Sequence, residues 1–311
     1  MRTPLPRPPL AGLLAVLAVL AVLSMLAGCG GGEEPTATPS AAPSSSGRPA
    51  PPATPTTSTT PAAPATPAPA DPGTVPPPWL GTRVLPVRAD GSVAPQETPP
   101  ELRHRRFTLP DRLPPLPGTG FAARIASPAP ADVIARSTWE PGCPVDRAEL
   151  AWVRLTFRGF DGARHTGELL VHATAAEPLV TAFRGLWRAR FPIEEMRITA
   201  RPELDLAPTG DGNNTTAFVC RAVRGGTSYS QHAYGLAVDV NPFQNPYEKG
   251  TGADRVVLPE LATSYLDRGD VRPGMLLADG PAVRAFGAIG WGWGGSWRSL
   301  KDYQHLSANG T

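Results

Sequence analysis

Residues 230–241, SQHAYGLAVDVN, hold a carboxylate inside an otherwise apolar run. If 235–241 is a strand, alternate side chains point to opposite faces, and Asp239 lies on the face away from the core. A carboxylate in such surroundings is costly unless a partner or a cation holds it. The nearest partner is His232, which a turn at Gly235 brings to the same face. Histidine and aspartate together make two of the three ligands of a thiol-free metal site.

The third ligand has to come from elsewhere in the chain, which contains five histidines. His305 is the preferred candidate because it follows a glycine- and tryptophan-rich stretch and has Asp302 three residues before it. His104 lies among arginines in a proline-rich segment, and we expect it to be solvated. His165 and His172 are seven residues apart on one expected strand and would point to opposite faces.

A His–Asp–His set leaves one position of a tetrahedral zinc ion free for water, as in catalytic rather than structural sites. Zinc lowers the pKa of such a water to about 7, and a second carboxylate nearby then accepts and later returns a proton. Asp302 fits that role if it lies on the turn that enters the strand of His305. The alternative is purely structural: Asp239 pairs with an arginine, and the histidines are hydrogen-bonded core residues.

These motifs resemble the zinc D-Ala-D-Ala carboxypeptidases and L-alanyl-D-glutamate peptidases, a family of LAS-type peptidoglycan hydrolases. The similarity covers roughly residues 130–311 and rests on Ser-x-His-x-x-Gly-x-Ala-x-Asp at 230–239 and Asp-x-x-His at 302–305. AFVCR at 217–221 and GWGWGG at 290–295 extend it. The resemblance implies that zinc is bound by His232, Asp239 and His305, with Asp302 as the base.

The resemblance also implies two residues that contact the substrate. Arg221 would hold a substrate carbonyl or carboxylate and stabilise the oxyanion, and Ser230 would donate a hydrogen bond to the peptide. A fixed guanidinium suits the first role because negative charge develops on the amide oxygen in the transition state. Two alternatives stay open: Arg221 forms an ordinary salt bridge or yields its role to Arg224, and Ser230 only caps the turn before His232.

The function implied is zinc-dependent hydrolysis of amide bonds in peptidoglycan stem peptides, of the D-Ala-D-Ala carboxypeptidase type. An L-alanyl-D-glutamate endopeptidase on the same fold is one alternative, and a non-catalytic wall-binding lipoprotein is another. The presence of Asp302 beside the expected ligands argues against a protein that only binds. The net charge of +2 gives no indication of a nucleic-acid partner.

The first residues predict export. Residues 1–29 combine two arginines, an apolar run and a final Leu-Ala-Gly-Cys, the layout of a bacterial lipoprotein signal peptide with Cys29 as the lipidated residue. An uncleaved transmembrane anchor is the alternative, since the apolar run is near the lower length limit of about 17 residues. Either way, we expect the rest of the chain outside the cytoplasm, held at the extracytoplasmic face of the cell membrane through Cys29.

Proline content divides the rest of the chain, because 27 of the 40 prolines precede residue 121. Residues 30–78 are rich in Pro, Thr and Ala and predict a disordered tether. Residues 79–118 carry more apolar side chains but are still interrupted by proline, so we expect partial order at most. Residues 119–311 form the expected zinc peptidase domain, a length that can bury a core.

Two cysteines, Cys143 and Cys220, remain once Cys29 is assigned to the lipid. In an oxidising compartment the simplest expectation is one disulfide between them, with two free thiols as the alternative. Such a bond would lie one residue from Arg221, and we expect it to hold that arginine in place.

The expected fold class is α+β: a small antiparallel sheet with flanking helices and long loops around a zinc cleft. A hairpin is predicted by two alternating runs joined at Gly-Phe-Asp-Gly, and a helix by apolar residues at helical spacing. The predicted elements are strands 149–158, 164–172, 193–200 and 233–241, a helix over 177–190, a long loop over 202–215 and a short helix over 281–289.

Overall fold

The computed structural model describes residues 73–223 and 226–311. The predicted signal peptide, with Cys29, and residues 30–72 of the predicted tether lie outside the described residues. Among the residues that are described, no helix is long and apolar enough to cross a membrane. Lipid anchoring and the extracytoplasmic location therefore stay predictions.

The described chain mixes short helices with several small antiparallel sheets, which confirms the α+β class. Its α-helices are α1 Ala131–Ala135, α2 Ala173–Arg188 and α3 Pro281–Gly287. Its strands are β1 Ala123–Ala126, β2 Leu150–Arg158, β3 Arg164–His172, β4 Glu195–Met196, β5 Asn214–Thr215, β6 Ala237–Asp239, β7 Tyr247–Lys249, β8 Val256–Leu258, β9 Gly292–Trp293, β10 Lys301–Asp302 and β11 His305–Ser307.

The sheet β1-β2-β3 and helix α2 form the main core. The predicted hairpin is present, with β2 and β3 antiparallel from Leu150 opposite His172 to Arg158 opposite Arg164. One face of β2 buries alternate apolar side chains against the apolar face of α2, as their spacing predicts. The helix begins at Ala173, earlier than predicted, because the His172 side chain accepts a hydrogen bond from Thr174 N as its N-cap.

Two further three-stranded sheets surround the predicted site. One has the order β6-β11-β9 and the other β10-β7-β8, and both are antiparallel. The predicted strand 233–241 is shorter than expected, because residues 231–234 form a single 3₁₀ turn before β6. That turn ends at Gly235 with φ +67°, where a Cβ atom would lie 2.4 Å from the backbone nitrogen of His172. Only glycine fits this conformation and this close approach.

The segment 193–200 and the loop 202–215 differ from prediction. Only β4 is a strand in the first, and it pairs in parallel with β5, which lies in the expected loop. The pairing stops after two residues because side chains replace the ladder: Arg197 N donates to Asn214 Oδ1, and Asn214 Nδ2 donates back to Arg197 O. Apolar alternation alone does not reveal such a side-chain termination.

Residues 79–118, for which the sequence predicts partial order at most, contribute side chains to a buried cluster, while the domain boundary at 119 stays a prediction. Leu102 and Phe107 are buried in a hydrophobic cluster with Phe243 and Tyr265, which come from the C-terminal part of the chain. Proline interrupts helices and strands in this segment but does not prevent scattered apolar side chains from reaching a core. The packed part of the chain therefore begins well before 119.

Candidate metal centre and cleft

Three polar side chains from separate parts of the chain meet at one point. Nε2 of His232 lies 3.2 Å from Oδ1 of Asp239 and 3.2 Å from Nδ1 of His305. The third side of this triangle, from His305 Nδ1 to Asp239 Oδ1, is 3.3 Å. These are the three residues that the sequence predicts as ligands, and the structure brings them together.

Local structure explains the convergence. In the antiparallel pair β6–β11, His305 lies directly opposite Asp239, so their side chains project from the same face of the sheet. His232 reaches that face from the 3₁₀ turn, which begins at Ser230 and is closed by the left-handed Gly235. The buried faces of β6 and β11, with Val238 and Leu306, belong to the main core and fix the sheet behind the site.

The outer nitrogens of both imidazoles face backbone carbonyls. Nδ1 of His232 lies 2.6 Å from the carbonyl oxygen of Ala217, and Nε2 of His305 lies 3.3 Å from that of Thr311. A carbonyl oxygen only accepts, so each of these outer nitrogens carries a proton. The inner nitrogens therefore face the Asp239 carboxylate, and without a second proton each presents a lone pair that can bind a cation. The carboxylate charge in this triangle is balanced either by a metal ion or by protons on the inner nitrogens.

The triangle fits a tetrahedral zinc ion. Zinc bonds to histidine nitrogen and carboxylate oxygen are about 2.0–2.1 Å, which makes a tetrahedron edge about 3.3–3.4 Å. The three donor–donor distances of 3.2, 3.2 and 3.3 Å are close to that edge. Carbonyl acceptors on the outer nitrogens are also the usual partners of metal-binding imidazoles.

Electrostatics favour an ionised carboxylate at the centre. Burial raises the pKa of Asp239, but the charge and hydrogen bonds of His232 and His305 outweigh it and hold that pKa well below its ordinary value. The carboxylate is therefore available as a ligand at any physiological pH.

Asp302 lies beside the triangle at the end of β10, and the turn Tyr303–Gln304 separates it from His305 in β11. This agrees with the expected place on the turn that enters the strand. Its Oδ1 atom is buried and has no hydrogen-bond partner among the described residues. Burial raises the pKa of Asp302 to about 7, and the nearby Asp239 charge adds to the rise. A carboxyl group near neutrality suits both uptake and return of a proton.

The motif GWGWGG positions this turn. The indole nitrogen of Trp293 donates to the carbonyl oxygen of Tyr303 at 2.8 Å, and Trp293 also pairs with Leu306 in the sheet. Next to it, a Cβ atom on Gly294 would lie 2.6 Å from the backbone oxygen of Asp302. Glycine therefore lets the backbone at 294 approach Asp302 closely enough to hold the turn.

The sequence from 224 to 308 matches the family model of D-alanyl-D-alanine carboxypeptidases. This match over part of the chain supports the family that the motifs indicate. No curated protein and no solved structure gives a significant match. The segment matched to the carboxypeptidase family contains all three predicted ligands and Asp302, and it indicates a peptidase, that is, a hydrolase of peptide bonds.

Arg221 lies just outside the segment matched to the carboxypeptidase family, but its side chain lines the same cleft as the three ligands. Its Nη1 atom donates only to the carbonyl oxygen of Ala222, at 3.2 Å, and no carboxylate forms an ion pair with it among the described residues. The ordinary salt bridge is therefore not what the structure shows. Arg224, the alternative, lies outside the described residues.

Ser230 caps the 3₁₀ turn before His232, which is the alternative role that the sequence analysis gave it. Its Oγ atom accepts a hydrogen bond from the backbone nitrogen of His232 at 3.4 Å. The residue also lines the cleft, so the cap and a contact with substrate are compatible. Its role in substrate binding stays a prediction.

The cleft above the triangle has a volume of about 740 Å³, which holds several residues of a peptide. Trp297 lines it, and its ring centroid lies 5.4 Å from that of His305. Lys249 and Leu258 also line it and were not predicted from the sequence. One feature of the sequence could have drawn attention to Lys249: of the 29 lysines and arginines in the chain, only Lys249 and Lys301 are lysines.

The other histidines do not join the site. His165 contacts the carboxylates of Asp111 and Asp161, at 2.9 and 3.1 Å, and His172 caps α2. His104 is exposed, as expected.

The expected disulfide is confirmed. Cys143 and Cys220 are bonded, with 77 residues of sequence separation, and the bond lies next to Arg221 in the chain. A second tie holds the same region, since the Tyr229 hydroxyl donates to the carbonyl oxygen of Gly142 at 2.7 Å. The cleft wall that carries Arg221 is thus attached twice to the segment around Cys143.

Proposed function

We propose that this chain is a zinc-dependent peptidase of the D-Ala-D-Ala carboxypeptidase type, acting on peptidoglycan stem peptides. The observation that carries the proposal is the triangle of three potential ligand atoms, 3.2–3.3 Å apart, with the buried Oδ1 atom of Asp302 beside it. A structural ion pair among His232, Asp239 and His305 does not explain why this Asp302 oxygen is buried without a hydrogen-bond partner among the described residues. The match to the carboxypeptidase family supports the same reaction class.

His232, Asp239 and His305 would hold the zinc ion. When bound, zinc supplies a Lewis acid that polarises the amide carbonyl and makes water more acidic. The two carbonyl acceptors behind the imidazoles orient the rings, so that Nε2 of His232 and Nδ1 of His305 would be the ligand atoms.

The remaining steps belong to the side chains of the cleft. Asp302 accepts a proton from the attacking water and returns it to the leaving amine. Its partnerless Oδ1 is free to form the hydrogen bond that this transfer requires. Arg221 forms no ion pair with a carboxylate among the described residues, and it would donate to the substrate oxygen as negative charge develops on it. Ser230, at the cleft wall, holds the peptide backbone.

The substrate side of the proposal places the chain outside the cytoplasm, anchored through Cys29, with stem peptides as its partner. The disulfide supports an oxidising compartment. If residues 30–78 are a disordered tether, as the sequence predicts, they would let the cleft reach wall material at a distance from the membrane.

The test is incubation of the purified protein with a defined stem pentapeptide that ends in D-Ala-D-Ala, with and without a chelator, followed by mass spectrometry. Loss of one D-Ala, abolished by chelator and restored by zinc, is the expected result. Cleavage between L-Ala and D-Glu would instead identify the endopeptidase. Binding of the peptide without any cleavage in the presence of zinc would identify the non-catalytic wall-binding protein and overturn the proposal.

A further inference from the structure

The β7–β8 hairpin forms one wall of the cleft and presents alternate residues to it. Tyr247 pairs with Leu258 across the hairpin, and both line the cleft together with Lys249. Glu248, between them, is directed elsewhere and forms an ion pair with Arg255 at 2.6 Å. The period of two thus gives this wall an apolar pair followed by a cation.

The side chain of Lys249 has no anionic partner among the residues that the structure describes. No ion pair or hydrogen bond joins its ammonium group to any described residue, whereas Lys301 donates to the carbonyl oxygens of Gly295 and Trp297. The described acidic residues that line the cleft are Asp239 and Asp302, which the proposed function assigns to the metal and to proton transfer. The positive charge of Lys249 therefore has no protein partner in the cleft.

The position of Lys249 relative to the reaction centre is fixed by strand pairing. Tyr247 lies directly opposite Asp302 in the β7–β10 pair, and Lys249 is two residues further along β7. Two residues of a strand span about 7 Å, which is also the spacing between side chains on one face of an extended peptide. A substrate group at Lys249 therefore belongs to a residue one or two places from the scissile bond.

We propose that Lys249 is a specificity-determining residue that binds a substrate carboxylate at the end of an aliphatic side chain. The aliphatic part would pack on Tyr247 and Leu258, and the carboxylate would meet the ammonium group. Lysine suits this role because its compact ammonium group on a flexible stem can donate hydrogen bonds to a carboxylate in many orientations. The inference rests on the proposed peptidase function. It gives the substrate a second negatively charged group that the cleft recognises, in addition to the oxygen that Arg221 would bind.

The test uses synthetic stem peptides in which the residue one or two places before the scissile bond is glutamate, glutamine or norleucine. For wild type, kcat/KM for the glutamate peptide is expected to exceed that for glutamine by about two- to fivefold at one of these places, the range of an exposed ion pair. Lys249→Gln should reduce this ratio to about one, and Lys249→Arg should retain most of it. Arg298→Gln, which removes an exposed charge outside the cleft lining, should leave the ratio unchanged.

A binding measurement separates this inference from the proposed function. Calorimetric titration of the metal-free protein with the product peptides should show the same preference for glutamate, and its loss in Lys249→Gln. If wild type cleaves no peptide but this difference persists, the function fails and the role of Lys249 stands. If the glutamate preference is absent in wild type, or survives in Lys249→Gln, the role of Lys249 is wrong even where cleavage is normal.

Discussion

His305 lies directly opposite Asp239 in the β6–β11 pair, and its Nδ1 atom is 3.3 Å from Asp239 Oδ1 although 66 residues separate the two in sequence. The register of this short pair decides whether a metal site exists. A slip by one residue would turn His305 to the opposite face and into the core. The buried residues Val238 and Leu306, which pair with each other, oppose that slip because it would bring them to the cleft.

The first prediction concerns metal content. His232→Ala or His305→Ala should reduce bound zinc from about one ion per chain to a small fraction, because two ligands hold zinc far more weakly than three. Elemental analysis after gel filtration measures this, and His104→Ala is the matched control, since His104 is exposed and outside the site.

Thermal melting adds a second measurement of zinc binding. Zinc at 1,000 times its dissociation constant should stabilise wild type by about 4 kcal/mol but should hardly change the variants. Full zinc content in both variants would contradict the assignment.

The second prediction separates chemistry from metal binding. Asp302→Asn should lower kcat by at least about 100-fold, the usual contribution of a general base, because the amide accepts no proton. Zinc content should remain at the wild-type level, since Asp302 is not part of the triangle. Asp302→Glu keeps a carboxylate and should retain measurable activity. Turnover by Asp302→Asn at the wild-type rate on the stem pentapeptide would remove Asp302 from the mechanism.

The same substitution should stabilise the metal-free protein. Burial raises the pKa of Asp302 from 3.8 to about 7, so the folded state binds this proton more tightly than the unfolded chain does. The contribution to stability is therefore complete below about pH 4 and is lost as the pH rises through 7. At pH 8, Asp302→Asn should unfold at a higher urea concentration than wild type, with a free energy of unfolding larger by ~1–3 kcal/mol. The substitution removes a buried charge, one oxygen of which has no hydrogen-bond partner among the described residues.

Urea titrations in chelator at pH 4, 6 and 8 measure this difference, and it should vanish at pH 4. Asp279→Asn, at an exposed position, is the control and should show no such trend. A constant difference between Asp302→Asn and wild type at all three pH values would show that the buried charge of Asp302 is not its cause.

Local patterns predicted the local elements well. The hairpin of β2 and β3 and the helix α2 follow from alternation and helical spacing over nine or more residues, which suffice to define a period. The strands around the site have two or three residues each, too few for any period. They exist because tertiary contacts hold them, such as the bond from Trp293 to the carbonyl of Tyr303.

The metal site was predictable from residue types and motif spacing. Of the cleft wall, Arg221 and Ser230 follow from the family resemblance, whereas Lys249 and Leu258 were not predicted. His232, Asp239 and His305 were singled out because a thiol-free metal site needs such residues and few are available. Lys249 was missed because its importance depends on the pairing of β7 with β10, between residues more than fifty positions apart. Long-range pairing of this kind leaves no trace in composition or periodicity.

The fourth prediction concerns the disulfide. A double Cys143→Ala, Cys220→Ala variant should lose about 4 kcal/mol of unfolding free energy by the chain-entropy model, because the bond closes a loop of 77 residues. It should also lower kcat/KM, since the segment that carries Arg221 loses one of its two links to the segment around Cys143.

Tyr229→Phe removes the other link, the hydrogen bond to the carbonyl oxygen of Gly142, and should lower kcat/KM with a smaller loss of stability. If the double variant keeps full kcat/KM, the disulfide stabilises the fold without positioning Arg221.

The last prediction concerns the segment before residue 119. Arg105 donates two hydrogen bonds to the Glu194 carboxylate, at 2.7 and 2.5 Å, and a third to the carbonyl oxygen of Asp211. Both members of this pair are almost fully buried. Arg105→Met should therefore cost about 3–5 kcal/mol, because it leaves Glu194 as a buried charge without its partner. The double variant Arg105→Met, Glu194→Met should recover a large part of that loss.

Arg103→Gln is the control for this experiment. It lies two residues away in the same segment and breaks an ion pair with Glu97 whose side chains are 49% and 84% exposed. Such an exposed pair contributes about 0–1 kcal/mol, so urea unfolding should separate the two substitutions clearly. If Arg105→Met costs no more than Arg103→Gln, residues 79–118 do not contribute to the folded unit, and the boundary returns to 119. If the difference appears, a chain that begins at 119 lacks the partner of Glu194 and the cover of Phe243 and Tyr265, and it should be markedly less stable.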